Sequence, residues 1–309
     1  MIVKTDETGA SSSTQFTLPL VGSLTYNFNI DWGDGNTETV TSSTSPTHTY
    51  ASAGTYNIRI TENTAGGFPS LRFDNGGDRY KLLYINNWGN NTWTTMEKSF
   101  RGCGNMQLTA ADLPVTGGVT AFQYSFGGCK SITSFPQMNM SSATSVRDMF
   151  WQCNNLVVLP LLPTGNVTNW ENFVRGCSSL ASFPQLDTSS GTNFRGYVRD
   201  CSSLTSFPLI DTSSGTDFFW SFHGTTGLSG GDFPLLNFGS ASGSTALEKA
   251  LPAPSLSSYS ALLIDIANKN ANSGILLSNQ GNWNTSANTA RDLLIARGWT
   301  FAGSGVYTP

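Results

Sequence analysis

The sequence predicts a β-rich chain with short helices: an N-terminal β-sandwich, a solenoid of about five to six coils, and a helical C-terminal cap. Two observations carry that prediction. Five cysteines fall at Cys103, Cys129, Cys153, Cys177 and Cys201, at intervals of 26, 24, 24 and 24 residues. Ahead of them, residues 14 to 62 alternate short β-prone runs with Gly- and Asp-rich turns. The divisions fall at 1–88 for the sandwich, 89–236 for the solenoid and 237–309 for the cap.

In the first segment the strand-like runs are TQFTLPL, TYNFNIDW, TETVT and THTYASAGTYNIRIT. Trp32-Gly33-Asp34-Gly35 marks a hairpin, because Gly and Asp accept the positive φ of a tight turn. DWGDG and HTYASAGTYNIRI resemble the closing strands of immunoglobulin-type sandwiches of the PKD kind. That resemblance implies a β-sandwich, completed by strands from residues 68 to 88. Asp31 and Asp34 have two readings, as cation ligands or as acids that cap the turn; with no third acid nearby the turn role is favoured. Leu71, Phe73, Leu82, Leu83 and Ile85 indicate two further strands around the turn Asp74-Asn75-Gly76-Gly77. TWTTMEKSFRGC already has the phasing of a coil, so the solenoid starts before Cys103 and the sandwich covers its open edge.

Within the repeat, numbered from each cysteine as position 1, position 4 holds Ile132, Leu156, Leu180 and Leu204. Position 7 holds Phe135, Leu159, Phe183 and Phe207, position 8 is always proline, and position 10 is again apolar. A proline in every coil limits the strand to a short or bulged one. Asp-Thr-Ser-Ser-Gly then supplies a turn, and Trp170, Phe173, Val174 and Cys177 follow with helical spacing. Each coil therefore reads as strand, turn and helical or near-helical return. No coil buries its own core, so coils stack at about 4.8 Å per strand, with the cysteines as one reduced internal column.

MFWQCNNL, NFVRGCSSLASFPQLDTSSGT and YVRDCSSLTSFPLIDTSSGT resemble the BspA-like leucine-rich-repeat surface proteins, in their short-repeat branch. The resemblance spans about residues 96 to 236 and departs from the usual pattern in placing Phe-Pro where relatives carry a plain strand residue. After Gly224 the phase weakens: Leu228 keeps position 4, and Asp232-Phe233-Pro234-Leu235 arrives about two residues late. YSALLIDIAN then reads as a helix with Ser257 or Ser258 as N-cap, ILLSNQGNW as a last strand, and TARDLLIARGWTF as an amphipathic helix stopped by Gly298. That last helix is similar to tails of phage structural proteins carrying such repeats.

The composition limits the chemistry. A net charge of −4, a pI near 5.1 and only 12% charged residues give no basic footprint for nucleic acid. No apolar stretch reaches membrane-spanning length, and residues 1 to 12 lack the charged start and apolar run of a signal peptide. That leaves either a mature fragment or a chain made in the cytoplasm. Unpaired, periodic cysteines fit synthesis in a reducing compartment. The two histidines, His48 and His223, lie far apart, and no spacing suits a metal, a phosphate loop or a nucleophile–base pair. Asp187 and Asp211 recur beside Thr-Ser-Ser-Gly as turn acids. The expectation is a non-enzymatic protein with no catalytic residue, cofactor or metal.

Positions 19, 20 and 23 of the return segment are expected on the outside. They place Arg147 with Trp151, Glu171 with Arg175, Arg195 with Arg199, and Phe219 with Trp220 and His223. Two readings stand: a partner-binding ridge of Arg and aromatic residues, or tryptophans folded down as partial cover. The other face, with Ser134, Gln137, Ser182, Gln185 and Ser206, reads as flat, neutral and hydrogen-bonding. The resemblances imply a virion-surface protein made in the host cytoplasm, a phage tail fibre, tip or head decoration. Such a protein attaches to a host-surface glycan or protein, packs against other virion proteins or forms a homo-oligomer. The alternatives are a self-assembling scaffold and an adhesin on a bacterial cell surface.

Overall fold

A computed structural model describes residues 1–228, 236–243, 247–248, 256–273, 275–278 and 285–302. Its N-terminal part is built from β1 (Ile2–Lys4), β2 (Gln15–Thr17), β3 (Phe28–Asp31), β4 (Thr37–Val40), β5 (Thr47–Thr49), β6 (Thr55–Asn57), β7 (Arg59–Glu62) and β8 (Leu82–Ile85). β3 pairs antiparallel with β4 across the Trp32–Asn36 turn and with β7 on its other edge, while β2 pairs with β5. β1 lies between β6 and β8, antiparallel to both. Alternation sends Phe28 and Ile30 inward, where they join Val3, Phe16, Trp32 and Phe68. β1 was not expected from the sequence. Of the two strands expected after residue 68, only β8 forms; Leu71 and Phe73 are buried, but their segment hydrogen-bonds irregularly, Arg72 N–H to Pro19 O and Phe73 N–H to Ser99 O.

One buried ion pair fastens this sandwich. The Lys81 ammonium lies 3.8 Å from Asp78, both side chains wholly buried, and donates to the Ser11, Ser12 and Gln15 carbonyls at 3.1, 2.7 and 2.9 Å. Asp78 in turn accepts from Ser11 N–H, Ser11 Oγ and Thr17 N–H. Burial lowers the Lys81 pKa, against the pull of Asp78.

Beyond the sandwich, successive turns of chain stack in parallel. β8 pairs parallel with β9 (Gln107–Leu108), and further bridges join Ala121, Ser145, Asn169, Asn193 and Asp217 in series, each to the residue 24 positions on. A second series joins Ser134 to Val158 and Ser182 to Ser206. With proline two residues on, the expected strand shrinks to these single bridges. The inward register is as expected: positions 1, 4, 7 and 10 are buried in every turn from Cys129 to Ile210. All five cysteines are free, and four of them donate S–H to a carbonyl of the preceding turn, as Cys177 does to Phe150 O at 3.1 Å. The column continues at Thr225, whose Oγ1 donates to Val198 O at 2.7 Å. A second buried column is Thr164, Thr188 and Thr212, each hydroxyl donating to the next turn, for example Thr164 to Asp187 O at 2.8 Å.

The return segment is not helical. Met149, Trp151 and Cys153 N–H groups close i→i+3 turns on Val146, Asp148 and Phe150, while the intervening Asp148, Phe150 and Gln152 N–H groups donate to Glu171, Phe173 and Arg175 of the next turn. Residues at positions 20 and 24 take positive φ, among them Asp148 (53°), Gln152 (55°), Asn172 (53°), Gly196 (60°) and Asp200 (60°). A positive φ at the third residue is the type II turn geometry, and it breaks a helix at every fourth residue. Consecutive turns, half of their amides bonded to the next layer, take the place of the helical or near-helical return that was expected.

The C-terminal part is likewise more than a helical cap. β10 (Leu247–Glu248), α1 (Leu256–Lys269), β11 (Leu276–Ser278), α2 (Asn288–Ala296) and β12 (Thr300–Ala302) alternate, and the strands form a parallel sheet in the order β10-β11-β12. Helices between parallel strands are the usual crossover. α1 begins at Leu256, so Ser257 and Ser258 lie within its first turn and neither is its N-cap. Gly298 (φ +79°) follows α2 as the expected stop. The buried Asn270 amide donates to Phe238 O and Ala241 O, tying this unit to the last turn of the stack. The Asp232–Leu235 repeat and residues 279–283 of the expected last strand lie outside the described residues.

Lys81→Met, which leaves the buried Asp78 charge without its cation and removes one donor from each of three carbonyls, is expected to cost about 3–5 kcal/mol in a denaturant titration; a neutral result would show that the pair does not fasten the sandwich. The thiols give a pH prediction. Burial pushes Cys153 and Cys201 from an ordinary 9.0 to about 12, so the folded chain holds protons that the unfolded chain releases. The stability they contribute is complete below 9.0 and is lost as pH rises toward about 12, seen as a falling denaturation midpoint across that window. Native protein is expected to resist thiol reagents and to yield five thiols once unfolded.

Candidate partner-binding ridge

The outward side chains of the return segments come from positions 19 and 23, joined by Trp220 at position 20, and all eight predicted ridge residues are half-buried. Five of them meet. Arg195 lies over the Phe219 ring at 4.0 Å and Arg199 over the Trp220 ring at 3.9 Å. Phe219 and Trp220 stack at 5.2 Å with 9° between planes, and Trp220 stacks on His223 at 5.0 Å. Each arginine thus reaches from one turn of the stack to aromatic rings of the next.

Acids complete the ridge. Arg195 Nη1 is 3.2 Å from Asp217, Arg199 Nε is 3.1 Å from Asp200, and Asp200 also faces Arg175 at 4.0 Å and His223 at 3.8 Å. Burial lowers the Arg199 pKa, with Arg175 adding to the effect against Asp200. Arg147 stands apart, 3.5 Å from Glu171 and 6.0 Å from the Tyr124 ring, which also carries Arg101 at 4.5 Å. Burial pushes the Asp148 carboxyl beneath them up, against hydrogen bonds from Tyr124 and Arg147. Trp151 joins neither group through a ring contact among the described residues. Tyr124 is the member that sequence reasoning missed: it lies 24 residues before Asp148, in the Trp220 column, and the enlarged first interval hides it.

Trp220 holds an unusual backbone, with φ +59° where the neighbouring turn has Gly196. A bulky residue in the left-handed region costs about 1–2 kcal/mol. The same left-handed position recurs at Asp148, Asn172 and Gly196, so it belongs to the turn, which Ser221 N–H to Phe218 O closes here, and the stack from Arg199 to His223 packs on it.

The other predicted sites resolve differently. Asp31 Oδ1 accepts Gly33 N–H at 2.9 Å and Asp34 Oδ1 accepts Asn36 N–H at 3.1 Å, so both act in the turn. Burial raises the Asp34 pKa, but hydrogen bonds from His48 and Asn36 outweigh it and leave the carboxyl below its ordinary value. Among the described residues no group of three or more His, Cys, Asp or Glu could hold a metal, and no helix is long and apolar enough to cross a membrane. Asp187 Oδ1 accepts Ser189 N–H and Oγ, and Asp211 Oδ1 accepts Ser213 N–H, as turn acids. The face opposite the ridge is less polar than its serines and glutamines indicate. Val158, Leu161 and Leu209 are 51%, 59% and 60% exposed there.

The hairpin at Trp32–Asn36 and the paired sheets around Phe28 and Trp32 bear on kinship. Residues 3–67 match the PKD domain. The PKD match ends before β8, which adds a further strand beside β1. No curated protein and no solved structure matches the chain.

At the left-handed Trp220 position, Trp220→Gly and Trp220→Ala both lose the stack, but only glycine relieves the backbone. The glycine variant is expected to be more stable than the alanine variant by about 1 kcal/mol in thermal or denaturant melts. The reverse order would show that the site does not require positive φ.

Proposed function

We propose that the chain is a non-enzymatic binding protein of a virion surface, whose PKD sandwich carries a leucine-rich-repeat solenoid that presents the ridge to a host-surface partner. The observation that carries the binding role is the Arg195–Phe219–Trp220–Arg199–His223 stack, which crosses two turns of the chain and remains half-exposed. Arginine and tryptophan concentrate the energy of interfaces, and these are already ordered, so little side-chain freedom is lost on contact. The solenoid class rests on the 24-residue parallel register and the recurring C-x-x-L-x-x-(F/L)-P pattern. The virion setting rests on the resemblance of the repeats and of ARDLLIARGW to phage structural proteins.

A scaffold role is the second reading, and a specific surface favours it. Positions 5, 6 and 9 form an uncharged face on which Val157, Val158, Leu161 and Leu209 are exposed, suited to contact between copies.

One variant separates the two. Arg195→Ala, Arg199→Ala and Trp220→Gly combined should preserve the melting transition and the light-scattering mass while reducing attachment to host cells by at least about a hundredfold. Loss of oligomers with attachment intact would assign the ridge to assembly; a variant normal in both would remove the ridge from either role.

A further inference from the structure

A second site is carried by the junction between the sandwich and the stack. A cleft of about 870 Å³ opens there between β7 and the segment Asn86-Asn87-Trp88-Gly89-Asn90-Asn91-Thr92-Trp93. That volume lies in the range of small-ligand sites, which favour such junctions. Phe68, Trp88 and Trp93 line it beside aliphatic residues, with the two indoles edge to face at 6.0 Å.

The polar lining is distinctive. Six lining residues are asparagines, and only two lining side chains ionise, Arg59 and Glu62. The Glu62 carboxylate is engaged by the N–H groups of Gly66, Phe68 and Thr92. Three buried atoms of lining residues find no hydrogen-bond partner in the chain: Asn86 Oδ1, Trp88 Nε1 and Trp93 Nε1. The indoles are only 6% and 5% exposed and no water-sized group reaches these three atoms, so they belong to the closed wall of the cleft and are not contacts it offers.

The loop is also held before any ligand arrives. Asp112 accepts the Trp88 and Gly89 N–H groups at 2.9 and 2.7 Å, and Asn91 Nδ2 donates to Ile60 O at 3.4 Å. Gly89 takes φ +68° in the loop, so the turn between the two Asn pairs is set by backbone geometry.

We propose that this cleft binds a saccharide of one or two sugar units. Primary amides donate and accept at once, as sugar hydroxyls do, and Asn57, Asn63, Asn87 and Asn90 are exposed at the cleft over a wall of buried rings and aliphatic residues. Arg59, which has no carboxylate partner among the described residues, offers a contact for an acidic sugar. This site is separate from the ridge and does not depend on the role given to it.

The test is a titration of the full chain followed by tryptophan fluorescence and calorimetry. The neutral probes are cellobiose, maltose and lactose; the acidic probes are sialyllactose and a hyaluronan disaccharide. Saturable binding of a probe at millimolar concentration or tighter is expected. Asn87→Ala and Asn90→Ala, both at exposed positions, should each weaken it by roughly tenfold, the loss of one hydrogen-bonding group. Arg59→Ala should weaken the acidic probes alone. The ridge triple variant should bind saccharide normally, so failure of one site is distinguishable from failure of the other. Absence of saturable binding by every probe, or binding undiminished in both asparagine variants, would overturn the proposal.

Discussion

Each turn of the stacked region leaves every second return-segment amide to be satisfied by the next turn, and the architecture depends on that transfer. Asp148, Phe150 and Gln152 donate forward to Glu171, Phe173 and Arg175, and the pattern recurs from Asn172 to Arg195 and from Gly176 to Arg199. A buried amide without a partner costs as much as a lost hydrogen bond, so no turn is stable alone. The cysteine and threonine columns apply the same rule inside the core. There S–H and O–H groups also donate between turns, which lets small polar side chains occupy an apolar interior.

A stack built this way exposes unsatisfied groups at its ends, and the two ends are closed by different means. At the start β8 belongs to both parts: it is antiparallel to β1 of the sandwich and parallel to β9 of the first turn. The junction is reinforced by Asp74, which holds Lys98 at 3.2 Å and Arg101 at 2.8 Å. At the far end Ser242 N–H reaches Thr216 O, and the α/β unit is anchored through Asn270. Both closures use hydrogen bonds to the stack's own backbone as well as apolar cover, which a purely hydrophobic cap would leave unmet.

The outer face of the return segments follows from the turn geometry. Left-handed residues at positions 20 and 24 leave position 19 and 23 side chains pointing outward, and arginines there pack on rings of the next turn. Trp220 accepts an unfavourable backbone where Gly196 would sit without strain, and Tyr124 does so at the other end with φ +55°. Two aromatic residues at strained positions, each carrying arginines, bracket the ridge. Strain of this kind persists where surrounding contacts overdetermine it.

The 24-residue period, the inward columns from Cys129 to Ile210, the Trp32 hairpin and the turn roles of Asp187 and Asp211 were legible in the sequence, because each depends on local spacing or on turn chemistry. The return segment was not. Trp170, Phe173, Val174 and Cys177 have the spacing of a helical face, and a run of turns buries the same positions. What separates the two is the sign of φ and the destination of alternate amides, and both are fixed by a neighbour 24 residues away. Glycine and asparagine at positions 20 and 24 hint at it, while Trp220, Tyr124 and Gln152 conceal it. β1 and the parallel C-terminal sheet were hidden for a related reason, since three-residue strands carry too little pattern to be seen before their partners are known. The ridge residues could be named from the period, but tertiary structure alone stacked five of them into one surface and left Arg147 with Tyr124. The junction cleft is tertiary throughout, because β7 and the Asn86–Trp93 loop come together only when the sandwich packs on the first turn.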